Sequence, residues 1–274
     1  MVRKILSAFL PLILFLFSSA SAQQRIVSLN GAISEMLCAL DLEPQIVGVD
    51  VASTYPASLK KKTSVGHNRT LSAESILALR PSLVLAVETD VKPEVLEQLR
   101  SAKVNIVLVQ QAYSADGTRK LLQDVAKATN TTDKGNKVLA TFNKEMAALK
   151  VAATGKKVLF VYARGTGSMT VCGVEQSPNS MIRLAGASNA MTEFKGFKPL
   201  TTESLVAANP DVILLFESGL QSVGGAEGLL KVPGISSTNA GKNKKIISMD
   251  GQFLAGFGLR LPQAIATLNK KISG

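Results

Sequence analysis

The sequence has no tryptophan, one histidine and two cysteines among its 274 residues, and each shortage removes a class of function. A single histidine, His67, cannot supply the several nitrogen ligands expected of a zinc or manganese carrier. It also leaves a hydrolase short of a base, and no GxSxG stretch offers a nucleophile. An enzyme is therefore not expected. Cys38 and Cys172 stand far apart with no CxxC, and both fall in apolar runs, so two buried thiols are expected rather than a disulfide. The absence of tryptophan takes away one common stacking surface for a planar ligand.

Long hydrophobic runs are also scarce, and the one that stands out is N-terminal. Arg3 and Lys4 precede an apolar stretch from Ile5 to Phe17, and Ala20-Ser21-Ala22 completes an A-x-A pattern. Residues 1–22 thus read as a signal peptide cleaved before Gln23. The run is too short and wrongly flanked to span a bilayer. No cysteine stands at the cleavage point to take a lipid. A soluble, periplasmic protein is expected. Removing Arg3 and Lys4 lowers the formal net charge from +11 to +9. That charge favours anionic partners, but no nucleic-acid module is present.

From Gln23 onward the pattern alternates between short apolar strands ("RIVSL", "QIVGVD", "SLVLAV", "NIVLVQ") and helical runs. Near-continuous apolar strands of this kind belong to parallel sheets covered on both faces. After Gly155 the alternation restarts with "KVLFVYA" and "DVILLF". The expected fold is α/β: an N-terminal lobe over 23–130, a linking helix over 131–154 and a C-terminal lobe over 155–274. Both lobes would carry mainly parallel sheets, with a ligand cleft between them. One helical crossing predicts a stiff joint with little opening.

Two stretches repeat across the lobes, "LSAESILALRPSLVLAV" from Leu71 and "LTTESLVAANPDVILLF" from Leu200. Each places a glutamate, Glu74 or Glu203, in the first turn of a helix capped by serine or threonine. Helix-dipole complementation alone accounts for such a residue; matched docking posts on one outer face account for the repetition as well.

On these stretches the mature chain resembles the single-helix-hinge class of periplasmic solute-binding proteins, which serve ABC importers of haem, siderophores and cobalamin. The resemblance implies that Glu74 and Glu203 meet arginines of a two-subunit permease, and that the carrier acts as a monomer. The stretch "VGVDVASTYPASLKKKTSVGHNRTLSAESI" is most similar to the haem-binding branch. It implies Tyr55, in "STYP", as the haem-iron ligand, phenolate being a hard donor suited to ferric iron. His67 stands where the family usually shows a tyrosine, and is a second candidate ligand or a cleft-lining ring. Arg69, Arg164 and Arg260 are candidates for the propionates, since guanidinium matches carboxylate in a bidentate manner. A ferric siderophore or cobalamin is the alternative cargo.

Overall fold

The computed structural model of the chain describes residues 24–67 and 70–274. The expected signal segment and Arg69 therefore lie outside the described residues. The N-terminal lobe runs β1 (Ile26–Ser28), α1 (Gly31–Ala39), β2 (Ile46–Val49), β3 (Thr63–Ser64), α2 (Ala73–Leu77), β4 (Leu83–Val87), α3 (Pro93–Ser101), β5 (Ile106–Val109) and α4 (Ala115–Ala128). Its sheet has the order β3-β2-β1-β4-β5 and every pairing is parallel. The strands are short apolar runs because both faces are covered: all five residues of β4 are buried. Alternate residues then serve opposite layers. Leu83, Leu85 and Val87 pack with Ile33, Met36 and Leu37 of α1, whereas Val84 and Ala86 pack with Ile76, Val95 and Leu99.

The C-terminal lobe runs β6 (Lys157–Ala163), β7 (Met169–Cys172), α6 (Ser177–Leu184), β8 (Ser188–Asn189), β9 (Phe197–Pro199), α7 (Thr202–Ala208), β10 (Val212–Phe216), α8 (Glu217–Ser222), α9 (Gly225–Leu230), α10 (Asn239–Lys242), β11 (Ile246–Met249), α11 (Gly251–Ala255) and α12 (Leu261–Ser273). Its order is β11-β10-β6-β7-β9, with β8 beside β6. β7 runs antiparallel to both β6 and β9. After the Gly-rich turn that follows β6, the apolar run that ends at Cys172 returns into the sheet as the four-residue β7.

Between the lobes runs α5 (Thr132–Ala148). It ends six residues short of the expected linker boundary at 154, and the chain from 149 to 156 has no regular structure. The helix stiffens the joint by serving two cores. Val138 and Leu139 pack on the N-terminal core, and Phe142 belongs to the C-terminal one. Both cysteines are free, Cys172 buried and Cys38 half-buried.

Candidate functional site: the inter-lobe cleft

In a parallel α/β sheet, binding residues collect in the loops beyond the carboxyl ends of the strands. Both lobes follow that rule and turn those ends toward one cleft of about 590 Å³. The N-terminal lobe contributes Asn30 after β1, Asp50 after β2, His67 after β3, Asp90 after β4, and Gln111 and Tyr113 after β5. The C-terminal lobe contributes Tyr162 and Arg164 from the end of β6, Phe216 at the end of β10, and the start of α11.

Hydrogen bonds fix the floor. The Asn30 side-chain oxygen caps α1 by accepting from the Ala32 amide at 2.9 Å. Its amide nitrogen donates to Asp90 Oδ2 at 3.1 Å and to Gln111 Oε1 at 3.2 Å. Burial pushes the Asp50 carboxyl above its ordinary range, against the opposing pull of the Ser53 hydroxyl, the Ala52 amide and nearby His67. Burial likewise raises the Tyr113 phenol, and the neighbouring Asp90 charge adds to it. Tyr113 is therefore a hydrogen-bond donor rather than a ready phenolate. On the other lobe, Arg164 Nε donates to Tyr162 Oη at 2.7 Å. The Tyr162 ring meets Phe216 edge-on at 6.1 Å, and Phe216 meets Phe160 at 4.9 Å. The result is an aromatic wall with a cation at its end.

The residues expected from sequence divide between two places. His67 and Arg164 line the cleft. Tyr55 and Arg260 line a neighbouring cavity of about 410 Å³ against α1, α5 and α12, beside the cleft residues Thr54 and Gln252. The physical reason is a buried ion pair. Arg260 Nε donates to Glu35 Oε2 at 3.2 Å and its backbone amide donates to Glu35 Oε1 at 3.0 Å. Glu35 is only 5% exposed. Burial pushes its carboxyl up, while Arg260 pulls it down. The Tyr55 ring then lies over the guanidinium, 3.6 Å from ring centre to Cζ, with Phe253 on the same cation at 5.1 Å. In this geometry Arg260 is an interlobe fastener and Tyr55 is its lid. Lys62, farther along the same loop, donates to the Glu43 carbonyl at 2.9 Å.

Sequence reasoning missed a further fastener, Gln252 of α11. It donates to the Gly31 carbonyl at 2.8 Å and accepts from the Thr54 and Tyr55 amides at 2.7 and 2.9 Å. Gly31 is required there, because a Cβ would stand 2.8 Å from the Ala52 carbonyl oxygen. Gln111 adds another crossing, donating to the Gly256 carbonyl at 2.8 Å. The lobes are thus joined by far more than one helix. Position after a strand end was the available signal for Gln111 and Tyr113, and position near the end of a strand for Tyr162; nothing local marks Gln252.

The proposed posts also have defined places. Ser72 Oγ accepts from the Ser75 amide at the start of α2, and Thr201 Oγ1 accepts from the Ser204 amide at the start of α7. Glu74 and Glu203 follow these caps and are exposed. Neither belongs to an ion pair among the described residues. Both helices start at the carboxyl-end side of their sheets, the side on which the cleft opens.

Comparison with known proteins agrees with this architecture. A family model described as periplasmic binding protein matches residues 26–253. The fold superimposes on the periplasmic heme-binding protein RhuT from Roseiflexus sp. RS-1 with a TM-score of 0.86 and 38% identity, over 92% of this chain and 98% of that one. The periplasmic heme-binding protein HutB of Vibrio cholerae gives 0.80 and 31%, over 92% and 100%. Among curated sequences, the vitamin B12-binding protein of Salmonella typhi is 26% identical, over 78% of this chain and 80% of its own length. By the match along its length and the two-lobed fold, the chain belongs to the periplasmic binding protein family.

Proposed function

We propose that the protein captures haem in the inter-lobe cleft and delivers it to an ABC permease. The observation that carries this reading is the pairing of one imidazole, His67, on the N-terminal wall with Tyr162, Phe216 and Arg164 on the other. A flat apolar macrocycle needs an aromatic wall, its iron needs a donor, and its propionates need a cation. Arg164 spends Nε on Tyr162, which leaves its terminal nitrogens for a carboxylate. Arg69, two residues beyond His67, remains a second proposed propionate partner.

The geometry favours His67 over Tyr55 as iron ligand. Imidazole binds haem iron well, and His67 lines the cleft, whereas Tyr55 lines the neighbouring cavity with its ring face against Arg260. The heme-binding relatives at 31–38% identity support haem over cobalamin, and the lack of tryptophan points the same way. The chain is periplasmic, and no helix among the described residues is long and apolar enough to cross a membrane. A permease is the natural recipient, because a relative from Bacillus subtilis, 25% identical, carries the name uncharacterized ABC transporter substrate-binding lipoprotein YvrC. Glu74 and Glu203 are the proposed contacts with its two subunits. Absorbance titrations of the purified protein with haemin and with cyanocobalamin test the reading. A saturable Soret shift with haemin alone is expected; saturable binding of cyanocobalamin alone would replace haem by the alternative cargo.

A further inference from the structure

Six lysines gather at the pole of the C-terminal lobe that lies opposite the cleft. Lys156 precedes β6, Lys242 ends α10, Lys244 and Lys245 precede β11, and Lys270 and Lys271 lie in the last turn of α12. β6, β10 and β11 are parallel neighbours, so their amino ends share one pole, and α12 returns to it. Lys156 and Lys245 line one depression there together with Asn243 and Ser273. The Asn269 side chain donates to the Ala152 carbonyl at 2.8 Å, which ties the end of α12 to the segment before β6.

The charge at this pole is unbalanced. Five of the six lysines are exposed and Lys245 is half-buried. None is in an ion pair among the described residues. The carboxylate beside them, Asp211, is engaged by the Lys157 amide at 2.9 Å and the Asn239 side chain at 3.1 Å. With Lys157, the exposed first residue of β6, as a seventh cation and Asp211 and the Gly274 carboxylate as the anions, the pole carries +5, more than half of the +9 left without residues 1–22. The cleft end of the same lobe is balanced by contrast, with Arg164 and Asp250 as its charged contributions to the lining. The C-terminal lobe is therefore polarised along its strand direction.

We propose that this pole is a docking surface for an anionic phospholipid bilayer, on which the carrier rests with its cleft turned away from the lipid. Lysine is suited to such contact, being a flexible point charge that needs no fixed geometry from its partner. Polybasic patches are drawn to anionic leaflets within about a Debye length. The exposed large apolar side chains, Val51, Tyr55, Tyr113, Phe197 and Val206, all lie outside these lysine-bearing segments. Hence nothing here inserts into acyl chains, and binding is peripheral and reversible. The same absence argues against a protein partner, whose interface would be built around a buried apolar or aromatic anchor. This inference stands whichever cargo occupies the cleft.

The test is sedimentation of the full mature chain with phosphatidylcholine vesicles, with and without phosphatidylglycerol. Binding is expected only with phosphatidylglycerol, and it should fall at least about tenfold as salt shortens the screening length. The triple variant Lys242→Glu, Lys244→Glu, Lys245→Glu should lose at least about tenfold in affinity relative to wild type, because repulsion replaces attraction at the surface. A control with the same charge change elsewhere, Lys92→Glu, Lys137→Glu, Lys144→Glu, should bind nearly as well as wild type. Circular dichroism establishes that each variant is folded, and the corresponding Lys→Gln triple serves if the Glu version is not. Three results overturn the proposal: no dependence on phosphatidylglycerol, equal losses in the two triples, or capture by an acidic protein matrix without vesicle binding.

Discussion

Gln252 holds Thr54 across the lobe boundary, its Oε1 accepting from the Thr54 amide at 2.7 Å and from the Thr54 hydroxyl at 3.0 Å. The same oxygen takes the Tyr55 amide, and the side-chain nitrogen takes the Gly31 carbonyl. One residue of the C-terminal lobe thereby sets the loop that follows β2. Gln252→Ala leaves these groups without their partner, at a cost of roughly 1–3 kcal/mol for a buried unsatisfied group. Urea unfolding should show that loss, and amide exchange of the Thr54–Tyr55 loop should accelerate. An unchanged midpoint and unchanged exchange would contradict the fastening role.

The Glu35–Arg260 pair makes a sharper prediction. Removing one partner of a buried pair strands the other, which typically costs about 3–5 kcal/mol. Arg260→Met should destabilise on that scale, and Glu35→Gln in the same chain should recover much of the loss. A double-mutant cycle in urea measures the coupling. If Arg260 served a propionate instead, the cycle would be near zero and haemin affinity would fall in its place.

Much of the architecture was legible in the chain. "SLVLAV" and "KVLFVYA" read as inner strands covered on both faces, and Ser72 and Thr201 cap the helices that carry Glu74 and Glu203. What was not legible was long-range. Glu35 and Arg260 are 225 positions apart, and no local pattern announces that a loop arginine will turn inward to a helix carboxylate. Once it does, Tyr55 follows, because its ring gains a cation face. Of the expected site residues, His67 and Arg164 line the cleft, while Tyr55 and Arg260 line the cavity beside it.

Thiol chemistry offers a pH test. Burial, with Glu43 adding to it, pushes the Cys38 thiol up to about 12, and burial takes Cys172 to about 11. A raised thiol value means the neutral form persists through the physiological range. Both cysteines should therefore alkylate slowly at pH 8 in the native protein, and Cys38 should speed up with rising pH as thiolate forms. Rapid native-state labelling at pH 7 would contradict the burial.

The two glutamates separate docking from helix starting. As posts, Glu74→Lys and Glu203→Lys should leave haemin binding intact and reduce uptake into permease vesicles, the double variant most. Each exposed ion pair contributes only about 0–1 kcal/mol, but two on one body act together through effective concentration. As helix-start residues alone, each would cost around 0.3–1 kcal/mol in thermal stability and leave transport unchanged.

The central claim, that haem iron is held by His67 within the cleft, is tested most directly by a haemin titration of three proteins, with absorbance and electron paramagnetic resonance recorded on each. The account predicts that His67→Ala loses the wild-type axial-ligand signature and binds at least about tenfold more weakly, the scale of a 1.4 kcal/mol loss. It predicts that Tyr55→Phe, which keeps the ring over Arg260 and removes only the oxygen, retains the wild-type spectrum and affinity. A wild-type spectrum in His67→Ala together with a changed one in Tyr55→Phe would contradict it.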